Sequence, residues 1–170
     1  EERAHALLSA SAAHRWLNCT VSARLAEQFE NKSSEYAMEG TFAHELGELE
    51  LRHRTNGIDA KEFKAKLAAL KENKYYTPAL HEYVMIYVTY VLASLSESQS
   101  VDTKSELLIE KKIDFSRYVP DGFGSNDAIV AGAKKIKVID LRLNYLFMKV
   151  DNSYVKVESC LSILMTRLLN

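Results

Sequence analysis

Residues 124–142 read GSNDAIVAGAKKIKVIDLR, and this stretch decides the fold. Asp127 opens one short apolar run, Asp140 closes the next, and Gly132 with Lys134-Lys135 lies between them. Short β-branched runs bounded by glycine read as strands, and so tight a connection makes the pair a hairpin. In a hairpin, both carboxylates approach one end of the sheet. Arg142, two residues beyond Asp140, shares its face, because side chains alternate along a strand. Paired carboxylates suit Mg2+ or Mn2+, hard ions that prefer oxygen ligands. An ion held this way activates water and stabilises charge on a phosphate under attack. Aspartate also ends strands and begins turns for purely structural reasons, so each carboxylate alone has a second, ordinary reading.

Outward from the hairpin, residues 106–113 form a further β-branched run, set off by Pro120, Gly122 and Gly124. Residues 145–150 and 154–157 can add strands, and 161–169 is apolar enough for a short closing helix. Everything earlier has helical character. Ser9 or Ser11 caps a short helix through Trp16 and Leu17, and 21–29 continues as a second one. After the polar break Asn31-Lys32-Ser33-Ser34, a helix is predicted over 36–53, stopped by Asn56-Gly57. A charged helix follows over 60–70. Thr77-Pro78 then starts a long one, with Leu80, Tyr83, Val84, Tyr87, Val88, Val91 and Leu95 on one buried face. Helices first and strands later predict an α+β fold, its N-terminal helices packed on one face of a small mixed β-sheet. The chain divides into a helical part (1–100), a sheet (101–142) and a tail (143–170) of a single domain.

Composition sets the limits. The 170 residues are 47% hydrophobic and 26% charged, which supports one globular core. A formal net charge of -1 provides no global attraction to nucleic acid. Two cysteines, Cys19 and Cys160, cannot build a zinc cage, and their scarcity fits a reducing cytoplasm. No apolar run approaches the roughly 20 residues of a membrane span. Glu1-Glu2-Arg3 is unlike the basic start of a signal peptide, so the expected address is cytoplasmic, without a membrane partner.

A second constellation lies upstream in Glu39-Gly40-Thr41-Phe42-Ala43-His44-Glu45, followed by Glu48. On a helix His44 and Glu48 share a face, where imidazole and carboxylate can hold one divalent cation or simply form a surface pair. Gly40 would allow a backbone or phosphate to come close. Trp16 and most of the tyrosines fit packing better than base stacking. Lys134, Lys135 and Lys137 can meet phosphates or be a solvated hairpin tip. No phosphate-cradling glycine loop and no nucleophile–base pair is present.

The order His44, Glu110, Gly124-Ser125-Asn126-Asp127 and Val138-Ile139-Asp140-Leu141-Arg142 resembles the RecB-like PD-(D/E)XK nucleases. The match is closer to a phage-associated branch related to the CRISPR-associated RecB-type exonucleases. It is carried by Leu7-Leu8-Ser9-Ala10-Ser11, Arg15-Trp16-Leu17-Asn18-Cys19, Ser22-Ala23-Arg24-Leu25, Glu39-Gly40-Thr41 with Ala43-His44-Glu45, and Asp114-Phe115-Ser116 with Tyr118-Val119-Pro120. It covers about residues 5–142. The resemblance implies metal-dependent hydrolysis of DNA, with His44, Asp127 and Asp140 as ligands of Mg2+ or Mn2+. Glu110 becomes a further acid nearby, and Arg142 falls where the family has its catalytic lysine.

Three departures shape the expectation. Guanidinium is larger than an ammonium group and stays charged, so Arg142 is expected to preserve metal binding while cleavage falls. The family's Gln- and Tyr-bearing helix has no counterpart in 143–170, which contains no Gln and no Gly. That tail reads as truncated or diverged. It is expected to fold back on the sheet or to join a second copy into a homodimer. Iron–sulfur members need three late cysteines, and only Cys160 is late, so no cluster is expected and Cys19 is read as a buried small apolar residue. Two functions stay open: a metal-dependent DNA nuclease, or an inactive derivative that binds DNA or a protein partner, for instance as an inhibitor of a host defence system.

Overall fold

The computed structural model describes residues 7–8, 13–26, 28, 34–114, 116–118, 120–133 and 135–141. Five helices come first: α1 (Ala13–Trp16), α2 (Ser22–Ala26), α3 (Glu35–Arg54), α4 (Ala60–Lys71) and α5 (Pro78–Val101). Three strands follow: β1 (Glu106–Asp114), β2 (Phe123–Ala131) and β3 (Ile136–Ile139). The fold is α+β, as the sequence predicts.

Local chemistry sets the helix ends. Ser34 accepts the Ala37 N–H on its hydroxyl at 3.2 Å, and Asp59 accepts the Glu62 N–H at 2.7 Å. Thr77 accepts the Leu80 N–H at 3.0 Å, with Pro78 in the first turn, where its missing N–H costs nothing. α3 stops in a Schellman motif: the Gly57 N–H reaches the Arg52 carbonyl at 2.7 Å and the Asn56 N–H that of His53 at 3.3 Å. The left-handed residue is Asn56 (φ 58°) rather than Gly57, since asparagine tolerates that region better than most side chains.

The core lies between α3, α5 and the sheet. Phe42, Ala43, Leu46 and Leu49 of α3 meet Leu80, Val84, Tyr87, Val88 and Val91 of α5, and Ala128, Val130, Ile139 and Leu141 close it from the sheet side. At Gly47 of α3 a Cβ would stand 3.4 Å from the Tyr87 ring of α5. Gly40, the glycine expected to allow close approach, has nothing within 4 Å of that position.

Strand order is β1-β2-β3, with both pairings antiparallel. The expected mixed sheet is therefore wholly antiparallel among the described residues. The reason is connection length: residues 115–122 and 132–135 are too few for the crossover that a parallel pair requires. The β2–β3 hairpin is as expected, closed by the Gly132 N–H on the Lys135 carbonyl at 3.0 Å. Ser9, Ser11, Lys134, Arg142, Cys160, the strands over 145–150 and 154–157, the helix over 161–169 and the tail-mediated dimer all lie outside the described residues. Among those that are described, no helix is long and apolar enough to cross a membrane.

Candidate metal centre

The register of the sheet places three carboxylates in a row. β1 and β2 pair from Glu106↔Ala131 to Ile109↔Ala128, and again from Lys111↔Asn126 to Asp114↔Phe123. Glu110 and Asp127 face each other at the step between. β2 and β3 pair from Ala131↔Ile136 to Ala128↔Ile139, so one further step sets Asp140 beside Asp127. The row thus runs Glu110, Asp127, Asp140 across the three strands.

His44 approaches this row from α3. Its Nδ1 lies 2.8 Å from Oδ1 of Asp127, while Oδ2 of Asp127 accepts the Leu141 N–H at 2.6 Å. Both oxygens of Asp127 are thereby anchored, one by the helix and one by the chain just past β3. Ligand atoms of His44, Glu110 and Asp127 all lie within 4.8 Å of one another. Glu110 takes its place there with φ 48°, a left-handed conformation unusual for a non-glycine residue inside a strand. Such strain costs about 1–3 kcal/mol and tends to collect at functional sites.

Electrostatics bear the marks of crowded charge. Burial pushes the His44 imidazole pKa down, but its hydrogen bond to Asp127 and the charges of Asp127, Asp140 and Glu110 outweigh that, and the net shift is upward. Burial, then the neighbouring Asp127 and Glu48, raises the carboxyl pKa of Glu110. Tyr87 of α5, only 6% exposed, has its phenol pKa driven far up by burial and by Asp127, Glu110 and Asp140. Its hydroxyl is buried without a hydrogen-bond partner among the described residues.

Of the residues singled out from sequence, His44, Glu110 and Asp127 therefore form the tight group. Asp140 stands next in register, and its charge is felt at His44 and Tyr87 without its joining the 4.8 Å cluster. Glu48 stays outside the 4.8 Å group: its carboxylate takes the Arg52 guanidinium at 2.7 Å, one turn along, while its charge still acts on Glu110. Cys19 is exposed rather than buried. It occupies the turn between α1 and α2, held by its backbone to Arg15 and Ser22, and the turn directs its side chain outward. Trp16 is buried as expected. Lys137 is no solvated tip residue: its ammonium meets Ser94 at 3.0 Å and lies over the Tyr90 ring.

Two features escaped sequence reading. Tyr87 was assigned to packing; the available signal was Gly47, three residues after His44 and so on the same helical face, against which the Tyr87 ring lies. The other is a relay in which the His81 ring sits between Tyr76 (3.2 Å) and the buried Glu50 (2.9 Å). Glu50 also pairs with Arg54 at 3.6 Å within α3, while the His81–Glu50 contact ties α5 to α3.

One imidazole and adjacent carboxylates, with a buried hydroxyl left unpartnered beside them, fit a hard or borderline divalent cation. The class so defined is an α+β domain with a His–carboxylate centre joining a helix to a three-stranded sheet. The chain belongs to the family described as "Protein of unknown function (DUF2800)", whose model matches residues 5–153. That match takes in α3 and all three strands, hence every residue of the centre. No solved structure matches the chain.

Proposed function

We propose that this chain is a RecB-like, PD-(D/E)XK-type nuclease domain of a phage or mobile element that hydrolyses DNA phosphodiesters with Mg2+ or Mn2+. The observation that carries this reading is the convergence of His44, Glu110 and Asp127 from three separate elements to within 4.8 Å, with Asp140 next in register. These residues would hold the cation, which supplies Lewis-acid charge to the scissile phosphate. His44 is fixed by Asp127 and cannot swing away from the row. Arg142, two residues beyond Asp140, provides the planar fork that pairs with phosphate oxygens and would steady the strand being cut.

A second reading is favoured by Arg142 itself, which stands where the resembled family has lysine. The chain would then keep its cation and its DNA, or a host or phage protein, without cutting. The test is incubation with Mn2+ or Mg2+ of wild type, Asp127→Ala and Arg142→Lys, on linear double-stranded and single-stranded DNA. Cleavage by wild type, lost in Asp127→Ala, supports the nuclease. DNA retention without cleavage, with cutting regained in Arg142→Lys, supports the derivative. A protein that neither binds nor cuts DNA in any of these forms contradicts the nuclease and the DNA-binding derivative, and leaves only the derivative that binds a protein.

A further inference from the structure

An unpaired polar group is expensive in a protein interior, and native structures keep few without a reason. Tyr87 is such a group. Its ring is seated on Gly47 and Val84 packs nearby, so the aromatic part is ordinary core, yet its hydroxyl has no partner among the described residues. Phenylalanine would fill the same space without the orphan. The Tyr87 ring lies against Gly47, three residues along α3 from the His44 that bonds Asp127, and the charges of Asp127, Glu110 and Asp140 all act on the phenol. Three carboxylates offer acceptors, but the hydroxyl reaches none of them in a hydrogen bond. A water beside a bound cation would give the hydroxyl the acceptor that it lacks.

We propose that Tyr87 is a positioning residue of the cation site, its hydroxyl donating a hydrogen bond to a water held beside a divalent cation between His44, Glu110 and Asp127. This rests on the reading of the acid row as a cation site. α5 then serves the centre as well as the core. Residues that support metal ligands from behind typically change affinity 10–100-fold when altered. The hydroxyl is therefore expected to tighten cation binding while giving nothing to the cation-free fold, opposite in sign to a structural hydrogen bond.

The test compares wild type, Tyr87→Phe, Asp127→Ala and, as a control, the exposed Tyr36→Phe. Mn2+ affinity is measured by calorimetry, melting temperature with and without Mn2+, and tyrosine-sensitised Tb3+ emission at saturation. Tyr87→Phe is expected to melt at the same or a higher temperature than wild type without cation, to bind Mn2+ at least about 10-fold more weakly, and to lose most of the sensitised emission. Tyr36→Phe should match wild type throughout. Wild-type Mn2+ affinity and emission in Tyr87→Phe, with binding lost in Asp127→Ala, would overturn the role of Tyr87 and leave the site standing. A lower melting temperature of cation-free Tyr87→Phe would make the hydroxyl structural and also overturn it. Failure of wild type to bind either ion would remove the site and this inference together.

Discussion

The α3–α5 helix pair and the acid row across the sheet are built by opposite rules. Along the helices, Ser34, Asp59 and Thr77 satisfy free N–H groups, the Schellman turn satisfies carbonyls, and the buried Glu50 has both His81 and Arg54. The exception there is Nδ1 of His53, whose ring stacks on Phe63 at 3.9 Å. At the row, carboxylates sit side by side and Glu110 has a left-handed backbone, and the Tyr87 hydroxyl and the Nδ2 of neighbouring Asn126 are buried without partners among the described residues. One region is optimised to hold together; the other concentrates unfavourable features that a ligand of positive charge would relieve. That difference is the reason for reading the row as the candidate site.

Substitutions should divide along the same line. Leu46→Ala, at a fully buried position of the helix pair, is expected to destabilise by about 3 kcal/mol, read from urea unfolding. A loss under about 1 kcal/mol would mean that the α3–α5 core is looser than described. His81→Ala removes the partner of buried Glu50 and should cost about 2 kcal/mol without changing Mn2+ affinity. Altered ion binding in this variant would join the two regions that the account separates. Glu110→Asn, which tolerates φ 48°, should raise cation-free stability by about 1 kcal/mol while weakening Mn2+ binding. A destabilised Glu110→Asn would mean that the strain is imaginary or offset locally.

The smallest effect concerns pH. The folded pKa of His44 lies above its ordinary value of 6.5, so the stability it gains from Asp127 is fully present below that value and is lost as pH rises through the folded pKa. The melting-temperature gap between wild type and His44→Gln, without cation, should therefore be wider near about pH 6 than near about pH 9. Proton and cation compete for the imidazole, so Mn2+ affinity should rise over the same window. A gap that widens with pH would contradict the His44–Asp127 assignment.

Local signals made much of the fold legible. Thr77-Pro78 and the Asn56-Gly57 pair act through contacts within one turn, so the start of α5 and the end of α3 follow from the sequence alone. The strand hairpin at Gly132 is equally local. The site was legible in part. His44 and Asp127 stood out as an imidazole and a strand-end carboxylate, each with an ordinary structural reading as well, and Glu110 entered through the resemblance to the RecB-like nucleases. What was not visible depends on tertiary geometry. The backbone of Glu110 is set by its place opposite Asp127, Glu48 is claimed by Arg52, and the value of the Tyr87 hydroxyl depends on where α5 crosses α3 at Gly47. Cys19 was misjudged because burial statistics for cysteine say nothing of a residue fixed in a turn.

The central claim is that the row is a cation site, and calorimetric titration of Mn2+ into wild type, Asp127→Ala and Asp140→Ala tests it most directly. Asp127 joins His44 to the sheet, so its loss should abolish binding, whereas Asp140→Ala, at the margin of the cluster, should weaken it. Equal binding by all three proteins, or no binding by wild type, would contradict the account.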